Sequence, residues 1–352
     1  MSSDFQHFKI ESKIGSGGMG EVYQARDQKL GRRVALKILP KSLGDNDVRR
    51  ARFLQEAKTA SALTHPHVCV IYEIGESTDH QPYIAMEMIE GRPLDAIIQE
   101  RPLTTDSTIE FSIQISDALA AAHDLNIVHR DIKSSNIMIN VRQQAKVLDF
   151  GLAKRLQSVT ETQGDELAKT REGQIIGTPN YMSPEQALGK EIDHRTDLFS
   201  FGVVMYEMVT GQRPFLADRL GEIMDQIIHS TPRAPTRHNP EIPVDLERII
   251  MRCLRKSPDE RFPSAADLKQ ALETLKHDRN TAPSNEDLST TRQLSSVPRE
   301  LSSPTSGLSA ELIKDSDVLI SCAELDDQPL TPDGEGWVDR LKRNLKIKIE
   351  QL

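Results

Sequence analysis

The sequence predicts an α+β protein of two lobes, a β-rich N-lobe followed by an α-rich C-lobe, with a disordered C-terminal tail. Three observations predict it. From residue 8 to about 90, short β-branched and aromatic runs alternate with glycine and polar turns, broken by one helical stretch. Over 91–277, apolar residues recur at helical spacing around a loop-rich centre between Asn126 and Glu185. Over 278–336 the chain is first rich in Ser, Thr and Pro and then acidic, with too little apolar material to order itself.

The β-rich lobe opens on "IGSGGMGEV", where Gly15, Gly17 and Gly20 fall at G-x-G-x-x-G spacing. Two kinds of nucleotide site share this pattern. In one the last glycine opens a helix; in the other the loop joins two antiparallel strands and lies over phosphates. Val22 and Tyr23 follow Gly20, then the polar turn "DQKLGRR" and the β-rich run "VALKIL". This order of strand, glycine turn and strand favours the second kind. The helical interruption "RRARFLQEAKTASAL" places Phe53, Ala57, Ala60 and Leu63 on one stripe.

In the second lobe, "TIEFSIQISDALAAAHDL" and "VDLERIIMRCLRK" are amphipathic helices. The most apolar run, "FSFGVVMYEMV", is too short and too interrupted by Ser200 and Glu207 to span a bilayer, so no transmembrane segment is expected. The final segment, 337–352, "WVDRLKRNLKIKIEQL", spaces Val338, Leu341, Leu345 and Leu352 among basic residues. It reads as a short amphipathic helix, for docking on its own protein or a second copy, or for meeting a membrane surface or partner.

The 352 residues carry a formal net charge of −9, which gives no global attraction to nucleic acid. The three cysteines, Cys69, Cys253 and Cys322, lie far apart and suggest neither a disulfide framework nor a zinc cluster. With no secretory signal in "MSSDFQHFKI", a cytoplasmic protein with reduced thiols is expected.

The loop-rich centre holds "HRDIKSSN", then "DFG", then "GTPNYMSPE". Together with the glycine loop and the lysine of "VALKIL", these make five motifs in order, and over residues 8–277 the chain resembles the eukaryotic-like serine/threonine protein kinases, most of all their bacterial members. The resemblance implies the two-lobed kinase fold (N-lobe 8–90, C-lobe 91–277) with ATP and Mg²⁺ as cofactors. It also implies protein substrates with Ser or Thr acceptors.

Phosphoryl transfer asks a protein mainly to hold negative charge still and aim a hydroxyl in line. By resemblance, Ile14, Gly15, Ser16, Gly17, Gly18, Met19 and Gly20 bind ATP, with the glycines at 15, 17 and 20 against the phosphates, and Val22, Ala35, Met86, Glu87, Met88 and Met138 surround the adenine, Glu87 and Met88 through their backbone. Lys37 reaches the α- and β-phosphates, steadied by Glu56 of "FLQEAKT", which alone would read as half of a surface ion pair. Asp131 receives or orients the acceptor proton, Lys133 sits near the γ-phosphate, and Asn136 and Asp149 offer oxygen ligands to Mg²⁺. His129 is implied to be structural, packing on Phe150; Glu185 is implied to pair with Arg261, and Asp197 to hold the catalytic-loop backbone.

Arg130 marks kinases whose activation segment is ordered by a phosphate on that guanidinium. Among Ser158, Thr160, Thr162 and Thr170, the choice falls on Thr170, seven residues before Gly177. Glu172, where a second threonine often stands, either supplies fixed negative charge or marks a lost site. Thr178 matches the threonine that bonds the catalytic aspartate. The rival readings are a pseudokinase, which would lack one of Lys37, Asp131, Asn136 or Asp149, and a scaffold whose phosphorylatable tail recruits partners.

Overall fold

The computed structural model describes residues 4–17, 20–39, 57–58, 60–77, 81–150 and 179–281. Contacts divide the chain into Met1–Pro283 and Ser284–Leu352, and the second unit lies outside the described residues, with the expected tail and terminal helix.

The first lobe is a six-stranded antiparallel sheet: β1 (Asp4–Phe5), β2 (Phe8–Gly17), β3 (Gly20–Asp27), β4 (Arg33–Ile38), β5 (Ile71–Glu76) and β6 (Pro82–Glu87), in spatial order β1-β2-β3-β4-β6-β5. β1 is one strand more than the sequence reading supplies; two residues pair back on β2, Asp4 with Lys9 and Phe5 with Phe8. Period-two alternation gives the sheet two apolar faces. One carries Phe8, Ala25, Val34, Leu36, Tyr83 and Ala85; the other carries Ala35, Ile84 and Met86 and looks toward the second lobe. Of the expected helical stripe, Ala57, Ala60 and Leu63 are buried, whereas Phe53 lies outside the described residues.

The second lobe begins with β7 (Gly91–Pro93), α1 (Leu94–Glu100) and α2 (Thr105–Asp124). The Thr104 side chain caps α2 by accepting from the Ser107 N–H. β8 (Ile137–Asn140) and β9 (Ala145–Val147) form a small sheet with β7, and α3 (Pro184–Ala187) starts in a reciprocal capping box of Ser183 and Gln186. α4 (Arg195–Thr210) contains the most apolar run of the chain, is buried all round and packs against α2. It ends at Gly211, whose φ of 72° suits glycine and whose N–H returns to the Glu207 carbonyl. α5 (Leu220–His229), α6 (Val244–Cys253) and α7 (Ala265–Thr281) complete the lobe.

The lobes meet along a seam. Val68 makes a parallel bridge to Val147, with Cys69 N–H donating to the Val147 carbonyl and Val147 N–H to the His67 carbonyl, both at 2.9 Å. Beside it, Lys146 Nζ lies 2.8 Å from the Glu87 carboxylate, tying β9 to the end of β6.

Candidate active site

The upper wall of the cleft is the β2–β3 hairpin, where Gly15 pairs with Val22, Ser16 with Glu21, and Gly17 with Gly20. Gly20 has φ of 117°, and a Cβ there would stand 2.1 Å from the Ile38 carbonyl oxygen, so only glycine lets the hairpin lie on β4. Gly18 and Met19, at the tip, lie outside the described residues. Register carries the wall inward: Val22 pairs with Lys37 across β3 and β4, and Ala35 with Met86 across β4 and β6.

These pairings gather Val22, Ala35, Met86, Met88 and Met138 into one apolar cluster. Ile89, Cys69 and Leu148 belong to it as well and were not anticipated; no spacing rule sets them apart from ordinary core residues. Burial pushes the Cys69 thiol up to about 12, so it stays a neutral lining group. Glu87 takes part only through its backbone, because its carboxylate is turned to Lys146 and to the Val70 N–H. The Glu87 N–H donates to the Val70 carbonyl, while the Glu87 carbonyl accepts only a weak bond from the Cys69 thiol at 3.7 Å and keeps a lone pair to offer.

The lower wall is the loop from Ile127 to Asn136. Asp197 on α4 is fully buried and holds it by the backbone: its carboxylate accepts from the N–H groups of His129 and Arg130, both at 2.8 Å, and lies 2.9 Å from His123 Nε2. Arg130 and Asp149 both have positive φ, 65° and 56°, backbone conformations that the surroundings must enforce. The His129 ring stacks obliquely on Phe150 at 4.7 Å, with Nε2 2.7 Å from the Leu148 carbonyl and Nδ1 accepting from the Asp131 N–H.

The charged groups converge from far apart in the chain. Lys37, 6% exposed, places Nζ 2.8 Å from Asp149 Oδ2. Burial would raise the Asp149 pKa, but the Lys37 ammonium outweighs it and holds the carboxyl below its ordinary value. Lys133 Nζ lies 2.7 Å from Asp131 Oδ2, and Asn136 Nδ2 donates to the same oxygen at 3.1 Å and to the Asp131 carbonyl at 2.9 Å. With its nitrogen so committed, Asn136 presents its carboxamide oxygen.

A second network had no sequence signal. The Tyr181 hydroxyl donates to Glu207 Oε2 at 2.6 Å and meets Ser134 Oγ at 2.8 Å, and Arg213 Nε reaches both that hydroxyl and Glu207 Oε1 at 3.2 Å. Tyr181, Glu207 and Arg213 thus brace this loop at Ser134. Gln186 adds a bond from Nε2 to the Arg130 carbonyl. Glu185 and Arg261 form a buried bidentate pair at 2.7 and 2.8 Å. Glu56, Thr170 and Thr178, with the pairing and switching expected of them, lie outside the described residues.

The site fits a magnesium nucleotide. Asp149 and Asn136 supply hard oxygen donors, too few to complete a cation's shell, so phosphate and water oxygens must provide the rest. Lys37 and Lys133 supply positive charge, and the Gly20 backbone lies where no side chain could.

A model of the protein kinase domain family matches residues 8–276. The serine/threonine-protein kinase pkn3 of Myxococcus xanthus is 39% identical over 279 residues, covering 77% of this chain and 50% of that protein. A probable serine/threonine-protein kinase of Streptomyces coelicolor, SCO3848, is 38% identical over 271 residues, 76% of this chain and 39% of that one. The serine/threonine-protein kinase PknB of Mycobacterium leprae is 36% identical over 269 residues, 75% and 42%. The chain therefore spans half the length of these relatives or less. Among solved structures, the Mycobacterium tuberculosis PknI kinase domain shares the fold at TM-score 0.61 and 23% identity, over 78% of this chain and 98% of that one.

Proposed function

This chain belongs to the protein kinase family, and from that premise we propose that it transfers the γ-phosphoryl group of ATP, with Mg²⁺, to serine and threonine hydroxyls of proteins. The observation that carries the reading is the convergence of Lys37, Asp131, Lys133, Asn136 and Asp149 on one cleft, joined by bonds of 2.7–3.1 Å. In this reading Ile14, Gly15, Ser16, Gly17, Gly18, Met19 and Gly20 cover the phosphates. Val22, Ala35, Met86, Met88 and Met138 enclose the adenine, and Glu87 offers its carbonyl.

Asp149 and Asn136 would hold magnesium, which when bound would neutralise phosphate charge. Asp149 is held ionised by Lys37, so it is a ready ligand at neutral pH. Asn136 is the second ligand. Asp131 has one oxygen bonded to Lys133 and Asn136, which leaves the other to accept the acceptor proton while Lys133 stays close enough to reach the moving phosphoryl group. Glu56 steadies Lys37. Arg130 reads a phosphate on Thr170, placed there by autophosphorylation, and Thr178 shapes the acceptor pocket.

The buried, unpaired thiols Cys69 and Cys253 support a cytoplasmic setting. Among the described residues no helix is long and apolar enough to cross a membrane. Residues 337–352 serve docking or self-association; a truncation before Trp337 that changes neither would remove that role.

The test is transfer from labelled ATP to a Ser/Thr peptide library and to the chain itself, compared with Asp149→Asn, followed by phosphoamino-acid analysis and site mapping. Phosphoserine and phosphothreonine from the wild type alone support the reading. Nucleotide binding without transfer by the wild type defeats it.

A further inference from the structure

Arg213 follows the Gly211 turn that ends α4, and the reversal returns it to the helix face carrying Glu207. The Glu207 side chain is 8% exposed, a carboxylate that could not be buried alone at tolerable cost. Its oxygens are both engaged, Oε2 by the Tyr181 hydroxyl and Oε1 by Arg213 Nε. Arg213 is used differently. It bonds through Nε alone; neither terminal guanidinium nitrogen has a hydrogen-bond partner among the described residues, and the side chain is 31% exposed. Through Tyr181 the cluster touches Ser134, three residues beyond Asp131, so it adjoins the place where an acceptor would lie.

We propose that Arg213 is a specificity-determining residue: its two outward nitrogens take an oxyanion on the substrate protein, a carboxylate or a phosphate, within a few residues of the acceptor hydroxyl. This rests on the kinase reading. A guanidinium fork matches both oxyanions in two parallel bonds, and here its orientation is already fixed by Glu207 and Tyr181, so little freedom is lost on binding. The opposite preference, a substrate Lys or Arg on Glu207, would require Arg213 to leave both partners first, because the carboxylate lies behind it and is fully bonded.

The experiment uses the full chain with Mg²⁺ and ATP on peptides sharing one threonine, with Ala, Glu, phosphoserine or Lys scanned through the flanking positions. The expected result is kcat/KM higher by about tenfold for Glu or phosphoserine than for Ala at one or more positions, the worth of a bond to a charged group. In Arg213→Gln that ratio falls to about one, and in Arg213→Lys it falls only in part, charge kept and fork lost. Because the ratio is taken within one enzyme, loss of folded protein does not move it. Phosphoserine well above Glu identifies a previously phosphorylated substrate; parity identifies an acidic one; either supports the proposal. Equal rates on Ala, Glu and phosphoserine, a preference that survives in Arg213→Gln, or a preference for Lys overturns it with the kinase reading intact. Transfer to none of the peptides overturns both.

Discussion

Among the described residues, two cation–carboxylate pairs are built to opposite specifications, Arg261 with Glu185 and Lys37 with Asp149. Arg261 with Glu185 is complete: the guanidinium also donates to the carbonyls of Arg195, Arg255 and Lys256 and lies over the Phe199 ring at 5.0 Å, with 1% of the residue exposed. Lys37 with Asp149 is open: among the described residues the ammonium has one hydrogen-bond partner, and the Asp149 side chain is 24% exposed to the cleft. A fully bonded pair cannot exchange partners, whereas a sparsely bonded one can accept phosphate and metal in place of each other. The first kind suits holding a fold, and the second suits the phosphoryl transfer proposed above.

Four measurements break or sharpen that contrast. The largest effect is expected of Asp149→Asn, which keeps shape and removes charge: kcat falls on the order of 10²–10³-fold, comparable to losing one essential electrostatic contact. Calorimetry would show a smaller fall in melting temperature than for Arg261→Ala, because the amide oxygen still accepts from Lys37 and solvent reaches the 24% exposed side chain. Arg261→Ala reverses the pattern. It strands a buried carboxylate and costs about 3–5 kcal/mol, seen as a melting temperature lower by roughly 10 °C. The double variant Glu185→Leu/Arg261→Met, leaving no charge unpaired, loses less than Arg261→Ala alone.

Gly20→Ala is next, since the added carbon meets the Ile38 carbonyl; a cost of about 1–3 kcal/mol and a raised KM for ATP are expected. Gly31→Ala is the control. It also has positive φ, 69°, but nothing within 4 Å, so the cost falls to about 1 kcal/mol and KM does not move.

The smallest effect is a pH dependence. Burial, and then the charge of Arg261, lowers the Lys256 pKa to about 8, although its Nζ donates to the Ile227 carbonyl at the end of α5. An unfolded lysine titrates near ~10.4. Between the two values the unfolded chain binds more protons, so this group adds stability as pH rises. Denaturant titrations from about pH 7.5 to 9.5 should show a wild-type rise that Lys256→Met lacks.

What the sequence disclosed follows from how each residue is used. Gly15, Gly17 and Gly20 could be assigned to a strand-joining loop because Val22 and Tyr23 come directly after them, and β2 and β3 pair as that order requires. Asp131, Asn136 and Asp149 were named through the resemblance carried by the short motifs "HRDIKSSN" and "DFG", and within the first of these Asn136 Nδ2 does reach Asp131 Oδ2 at 3.1 Å. Asp197 and the Arg261–Glu185 pair were legible only by resemblance, since partners 67 and 76 residues apart leave no local pattern. The Tyr181–Glu207–Arg213–Ser134 network escaped for the same reason, with no resemblance to supply it. Ile89 and Leu148 read as plain core, and β1 was missed because two residues show no period.

The seam at Val68 and Val147 has a mechanical consequence. Two opposed backbone hydrogen bonds, flanked by the Lys146–Glu87 contact, resist being drawn apart but permit rotation about their own line. Opening and closing of the cleft is therefore expected to turn about this post. Labels near Glu87, at the jamb, will scarcely move, while labels near Gly15, far from the axis, will trace the full arc.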